Sequence, residues 1–431
     1  MTAGSTQRLA SVDEANLVLD HAGQVNVFLI AGLLAPGGFV GVDGIPDLDA
    51  LRATVGERIA SLPQLRRIAA IAGWRHRWAD ASPDLQHHIR SADPVDGLPG
   101  LMRLCGELMG MPLPRDRPLW ELLIVPGASA DGVGIVLRIH HAIADGMAAV
   151  EIAQRLFDRD DDSAPAATPP SPLTHDSVAP RRRNALARLG ASLHRIRMTL
   201  SGREVGSTVL LGDRGPNHGV AFLSADLDAL QAHARTMGAT VNDAVLAAAA
   251  SGYAAALAAA GEGVPVLLPV SVPVALPRRG SAANRVGIML VRLPLGESDP
   301  DERLRLIAVQ TRAEKVTARS QGTLEFMRGP VGARIMDRLA RRQHLVGGFV
   351  TTVPGPAGVL RLGGARVAAI WPVAVLAADV RLGVAAVSYD DRLCCGIHYD
   401  AGSVPGAAFA TAVQHELDRM DGAHALRSAA A

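Results

Sequence analysis

The alternation of hydrophobic and polar positions predicts strands and helices in turn along two stretches of the chain. Val133 to His141 alternates with a period of two, as a strand does, and Met147 to Phe157 carries apolar residues at helical spacing. Further on, Leu227, Leu230 and Met237 mark a helix closed by Gly238, and Thr240 with Asp243 forms a capping-box start for an alanine-rich helix. Asp299, Pro300 and Glu302 open another helix, with Leu304, Ile307 and Ala308 on its apolar side. The last third reads as strands at Val286 to Pro294, Gly348 to Val353, Ala365 to Ile370, Leu382 to Tyr389 and Leu393 to Tyr399, the final two joined by a turn at Asp390-Asp391. No Gly-rich phosphate loop follows a strand, and two α/β halves fit better than one doubly wound sheet.

A boundary lies at Asp158 to Pro180, where an acidic run leads into Pro165, Pro169, Pro170, Pro172 and Pro180 among Ser and Thr. The expected organisation is an N-terminal subdomain over residues 1–160, a linker with a crossover helix over 161–215, and a C-terminal subdomain over 216–431. The crossover segment places Arg181, Arg182, Arg183, Arg188, Arg195 and Arg197 among Leu186, Leu189, Leu193, Ile196 and Met198. Such a basic amphipathic helix serves either as attachment to an anionic membrane or lipid droplet, or as a connector with a solvated basic face.

Composition narrows the function classes. The 431 residues carry 43 Lys+Arg against 42 Asp+Glu, a net charge of +1, which excludes a protein built around a nucleic-acid footprint. A hydrophobic content of 48% with 20% charged residues supports a large core. Three cysteines, Cys105, Cys394 and Cys395, form no disulfide framework and point to a reducing, cytoplasmic compartment. Asp13 and Glu14 interrupt the N-terminal stretch early, so no signal peptide is expected. The uncharged segment Ala244 to Gly261 is mostly alanine and reads as a buried helix rather than a membrane span.

The informative segment for chemistry is Arg138 to Gly146, where a strand ends in His140-His141 and a short turn leads through Asp145-Gly146 into a helix. Strand parity sets His141 on the face of Val133, Ile135, Leu137 and Ile139, and His140 on that of Val136 and Arg138, so only one imidazole enters a common pocket. An apolar wall keeps a histidine neutral, the form a general base needs near pH 7, which favours His141. Asp145 is expected to anchor the loop, and Gly146 to allow close approach or an unusual backbone angle. A satisfied histidine at a strand end is the alternative for His141. Adjacent histidines point apart and no HExxH or Cys/His spacing accompanies them, so no metal site is expected. No G-x-S-x-G signals a nucleophilic serine.

In its ordered motifs the chain resembles the bacterial wax ester synthase/diacylglycerol acyltransferase family, within the superfamily of chloramphenicol acetyltransferase and peptide-synthetase condensation domains. His140-His141 with Asp145-Gly146 matches the HHxxxDG signature, Pro118-Leu119-Trp120 the Pro-Leu-Trp motif, and Ser11-Val12-Asp13 to Leu19 the N-terminal start. Downstream, Thr240-Val241-Asn242-Asp243 looks like the Asn-Asp helix motif, Asn284-Arg285-Val286 the Asn-Arg strand, and Val353-Pro354-Gly355-Pro356 the Val-Pro-Gly-Pro loop, with Gly364-Ala365 and Ser388-Tyr389-Asp390 continuing the order. One departure is Thr351-Thr352, where the family has Ser-Asn.

The resemblance implies an α/β fold of two chloramphenicol-acetyltransferase-like subdomains, mixed sheets flanked by helices, with a substrate tunnel at their interface. It implies acyl transfer from a long-chain acyl-CoA to a fatty alcohol or diacylglycerol, with His141 as general base, no covalent acyl-enzyme, and no metal or cofactor beyond the acyl-CoA substrate. Asn242, Ser271, Thr351 and Thr352 are candidate substrate or oxyanion contacts, while Pro118, Leu119, Trp120 and Asp243 are expected to be structural. The alternatives are an acyltransferase for a non-lipid hydroxyl, a condensation enzyme making amides, and a non-catalytic acyl-CoA or lipid-binding homologue. The expected location is the cytoplasm, with a peripheral place at the inner membrane or lipid droplets.

Overall fold

A computed structural model describes residues 7–159, 204–275, 286–321 and 340–422, except 22, 73, 74, 131 and 357, together with 334 and 338. The crossover segment at Arg181 to Arg197 and the Asn284-Arg285 pair lie outside the described residues.

In chain order the first half comprises β1 (Gln7–Arg8), α1 (Ser11–Leu19), β2 (Val27–Leu34), α2 (Leu48–Ile59), β3 (Arg67–Ala72), β4 (Arg75–Asp80), α3 (Leu85–His88), β5 (Ile89–Ser91), α4 (Gly97–Met109), β6 (Trp120–Val125), β7 (Val133–His140), α5 (Gly146–Leu156) and β8 (Asp158–Arg159). The second comprises β9 (His218–Asp226), α6 (Leu227–Thr236), α7 (Val241–Ala259), β10 (Leu267–Ala275), β11 (Val286–Pro294), α8 (Pro300–Gln321), β12 (Gly348–Val353), β13 (Leu360–Leu362), β14 (Ala365–Val373), β15 (Leu382–Tyr389), β16 (Arg392–Asp400) and α9 (Gly406–Met420).

Two mixed sheets organise these elements. One has seven strands in the order β5-β6-β7-β2-β14-β13-β8, the other six in the order β11-β10-β12-β15-β16-β9, and β1, β4 and β3 form a small third sheet. Parallel pairing occurs between β5 and β6, between β10 and β12, and between β12 and β15. Strands β6 and β7 are buried along their whole length, as their near-continuous Val/Ile/Leu runs require.

The hairpin Leu360–Val373 ties the halves together. It comes late in the sequence yet completes the first sheet, with β14 antiparallel to β2 and β13 antiparallel to β8. Its two-residue turn, Gly363-Gly364, has φ of 52° and 84°, the left-handed region that favours glycine and suits the strand twist. The same turn geometry recurs at Asp390-Asp391, φ 47° and 58°, between the predicted strands β15 and β16.

Helix α7 is the one helix among the described residues long and apolar enough to cross a membrane, with mean hydropathy 1.3, but 67% of it is buried inside the protein. Thr240 and Asp243 close the expected capping box at its start, and Asp243 also accepts from the Thr311 hydroxyl of α8 at 2.7 Å.

Candidate active site

Between the two sheets lies a cavity of about 440 Å³, within the usual range of ligand pockets. Its walls come from α1, β2, β7, β14 and α5 on one side and from β10, β12 and β15 on the other. Nearly all the lining is apolar; the polar side chains are Asn16, Gln24, Asn26, His141, Asp145 and Thr351.

Strand parity delivers His141 to this cavity. Ile135 and Leu137 line it together with His141, whereas Arg138 and His140 face away. Arg138 there forms a buried ion pair with Glu121 and donates to Leu108 O at 2.8 Å. The His140 ring, fully buried, accepts from the Ala142 N–H through Nδ1 at 2.9 Å, which puts the proton of the neutral ring on Nε2. That nitrogen lies 3.3 Å from Asp20 Oδ2. Burial pushes the Asp20 carboxyl up, but His140, the Asn26 N–H and Arg115 outweigh it and hold the group at about 2. His140 therefore braces the turn while His141 meets the cavity.

The His141 backbone is gripped from both sides. Its N–H donates to Asn26 O at 2.9 Å and its carbonyl accepts from Asn16 Nδ2 at 3.1 Å. The Asn26 amide in turn donates to Asn16 O at 2.9 Å and to Asn16 Oδ1 at 3.1 Å, so α1, β2 and the end of β7 lock together at this point. The Phe28 ring stands edge-on to the imidazole, with centroids 5.5 Å apart. Nδ1 of His141 is buried without a hydrogen-bond partner, which leaves Nε2 as the nitrogen able to meet a ligand. Burial lowers the His141 pKa below that of a free histidine, partly offset by the residue's own backbone and then by the Asp145 carboxylate, so the ring is neutral near pH 7.

Asp145 is the N-cap of α5, accepting from the Ala148 N–H at 2.8 Å, and so anchors the loop through a backbone partner. Gly146 has an ordinary negative φ; what it supplies is room, since a Cβ there would come within 3.2 Å of Val353 Cγ2.

The remaining predicted residues divide cleanly. On β12, Phe349, Thr351 and Val353 line the cavity, while Thr352 is not among the lining residues and its hydroxyl is buried without a partner. Ser271, buried on β10, and Asn242, in the first turn of α7, are not brought to the cavity. Pro118, Leu119 and Trp120 also lie away from it; Trp120 is packed in the core, donating to Leu65 O at 3.0 Å and stacking on His88. Sequence reading missed Asn16, Asp20, Gln24 and Asn26. Their only signal was polarity inside otherwise apolar stretches.

Residues 9–211 match the wax ester synthase/diacylglycerol acyltransferase catalytic domain, and residues 282–421 match the C-terminal domain of the same family. A diacylglycerol O-acyltransferase homologue of Mycobacterium tuberculosis is 30% identical over 387 residues, covering 86% of this chain and 82% of the relative. Another from the same organism is 29% identical over 414 residues, covering 87% and 88%. Among solved structures, the wax ester synthase/diacylglycerol acyltransferase of Marinobacter aquaeolei VT8 superposes with a TM-score of 0.70 at 18% identity, covering 96% of this chain and 100% of that one. The trichothecene 15-O-acetyltransferase of Fusarium sporotrichioides does so with 0.63 at 12% identity, covering 96% and 94%. Its two matched domains and its curated relatives place one conclusion beyond the fold: the chain belongs to the wax ester synthase/diacylglycerol acyltransferase family.

Proposed function

We propose that this protein transfers a long-chain acyl group from acyl-CoA to the hydroxyl of a fatty alcohol or diacylglycerol, with His141 as general base and no covalent acyl-enzyme. The observation that carries the reading is a neutral, backbone-clamped imidazole at the wall of an apolar cavity in a chain of this family. Among the described residues no serine or cysteine lines that cavity, which supports direct transfer between two bound substrates.

In the proposed step, Nε2 of His141 takes the hydroxyl proton as the alcohol oxygen attacks the thioester carbonyl. The tetrahedral oxyanion collapses, the C–S bond breaks, and the departing CoA thiolate receives the proton from the imidazolium, giving ester and CoA. A positioned base contributes about 10²–10⁴-fold. Holding the substrates together and stabilising the oxyanion supply the rest, and the Thr351 hydroxyl, on the cavity side of β12, is the candidate donor. The scheme draws on no metal or tightly bound cofactor. It also includes a cytoplasmic location with peripheral contact to a membrane or lipid droplet through Arg181 to Arg197; salt-insensitive sedimentation with anionic vesicles would count against that contact.

The test is to mix purified protein with a long-chain acyl-CoA alone, with a fatty alcohol and with a diacylglycerol, following thiol release and ester together. Acceptor-dependent thiol and ester in equal amounts support the proposal. A stoichiometric burst of thiol without acceptor would point to an acyl-enzyme, and acyl-CoA binding without turnover to a binding protein.

A further inference from the structure

Gln24 and Asn26, in the segment that leads into β2, line the cavity, as do Phe28, Leu29 and Ile30 of the strand itself. The amides of the first two are fixed in orientation by backbone partners. Gln24 Oε1 accepts from the Ala378 N–H at 3.1 Å, so its Nε2 occupies the opposite corner of the amide. Asn26 Nδ2 donates to the Asn16 carbonyl at 2.9 Å, which fixes its Oδ1 in the same way. Neither Gln24 Nε2 nor Asn26 Oδ1 has a hydrogen-bond partner among the described residues, and both belong to cavity-lining residues only 6% and 4% exposed overall. Buried amide groups are ordinarily paired, and an unpaired donor and acceptor on the wall of an apolar cavity are left for a ligand with polar atoms of its own.

Asn26 lies at the level of His141, whose N–H its carbonyl accepts, and Gln24, two residues earlier in the chain, lines the same cavity. We infer that Gln24 determines acceptor specificity: its side-chain N–H binds a carbonyl oxygen carried beside the hydroxyl that His141 deprotonates. The inference rests on the acyl-transfer reading above and refines its acceptor. A diacylglycerol presents an ester carbonyl on the carbon next to its free hydroxyl, whereas a fatty alcohol presents only methylenes there and leaves the Gln24 N–H unpaired. One neutral hydrogen bond of this kind corresponds to about tenfold in kcat/KM.

The experiment compares three acceptors with the same acyl-CoA: a 1,2-diacylglycerol, the 1,2-dialkylglycerol of equal chain length, which keeps the hydroxyl but has no carbonyl, and a fatty alcohol. Gln24→Leu removes the whole amide; Gln24→Glu keeps an oxygen for the Ala378 N–H and replaces the amide donor with a carboxylate oxygen. Thermal unfolding checks that each variant is folded, and Gln24→Leu decides alone where Gln24→Glu is not. The expected result is a diester-to-diether ratio of kcat/KM of about ten in the parent that falls to about one in the variants. A ratio near one in the parent, or one that survives in both variants, overturns the assignment of Gln24. Turnover of all three acceptors alike overturns this inference and leaves acyl transfer standing, whereas no ester from any acceptor overturns both.

Discussion

Acidification is expected to destabilise the fold through an imidazole pair behind the cavity wall, of which His398 is buried and His218 half-buried. His218 Nδ1 lies 2.9 Å from His398 Nε2, and His398 Nδ1 lies 2.8 Å from the carbonyl of Ala374, a cavity-lining residue. His398 is 3% exposed, and its burial, with the neighbouring His218 and Arg214 adding to it, brings its pKa down to about 3. In the unfolded chain a histidine titrates near 6.5, so below that pH the unfolded state binds a proton that the folded state refuses. The stabilisation is therefore complete above about pH 6.5 and is lost progressively as pH falls toward 3. Between pH 7 and pH 5 the loss is about 2 kcal/mol, from roughly 1.4 kcal/mol per pKa unit over the interval from 6.5 to 5. Burial lowers His218 as well, which adds in the same direction. Asp20, held at about 2, keeps its contribution throughout this window, and Asp379, raised by burial, acts in the opposite sense at lower pH. The assay is urea unfolding at fixed pH from 7 to 5, for the parent and for His398→Gln, whose amide still offers a donor to Ala374. The parent should lose about 2 kcal/mol or more and the variant about 2 kcal/mol less than the parent. A parent stability that stays flat over this range, or an equal loss in both proteins, would refute the reasoning.

Other expectations follow from the same contacts. Asp145→Asn keeps the helix cap but removes the charge that raises the His141 pKa, so the acid limb of kcat/KM should move to lower pH while stability changes by only about a few tenths of a kcal/mol; Asp145→Ala should cost about 1 kcal/mol in urea unfolding through loss of the Ala148 contact. Asn16→Leu strips the donor from the His141 carbonyl and one of the two acceptors of the Asn26 amide, and should cost about 1–3 kcal/mol in unfolding free energy, with kcat falling more than KM rises. Lengthening the acyl chain should improve kcat/KM by up to about fourfold per methylene, from about 0.8 kcal/mol of burial each, until the cavity is filled; a flat dependence across a chain-length series would remove the cavity from acyl binding.

What could be read from the sequence was what local pattern encodes. The strands β11, β12 and β15 end where the alternation ends, and Asp390-Asp391 forms the two-residue turn that its composition and spacing announce. Parity alone separated His141 from His140. On β12 the same parity separates Thr351, which lines the cavity, from Thr352, which does not. Pairings across long stretches of chain were not legible. Asn16 meets His141 from 125 residues away, and β14 crosses to the first sheet although its own alternation says only that it is a strand. Asn242 shows the converse. Its helix start was clear from Thr240 and Asp243, but a cap signal carries no information about what the next residue faces, and the structure sets Asn242 away from the cavity.

The central claim is that His141 removes the acceptor proton during direct transfer from acyl-CoA. The most direct measurement is the pH profile of kcat/KM for acceptor-dependent ester formation in the parent and in His141→Ala, with folding of both verified. The account predicts a loss of about 10²–10⁴-fold in the variant, together with disappearance of an acid limb that in the parent lies below the pKa of a free histidine. Parental rates in His141→Ala, or an acid limb that persists in it, would contradict the assignment of the base.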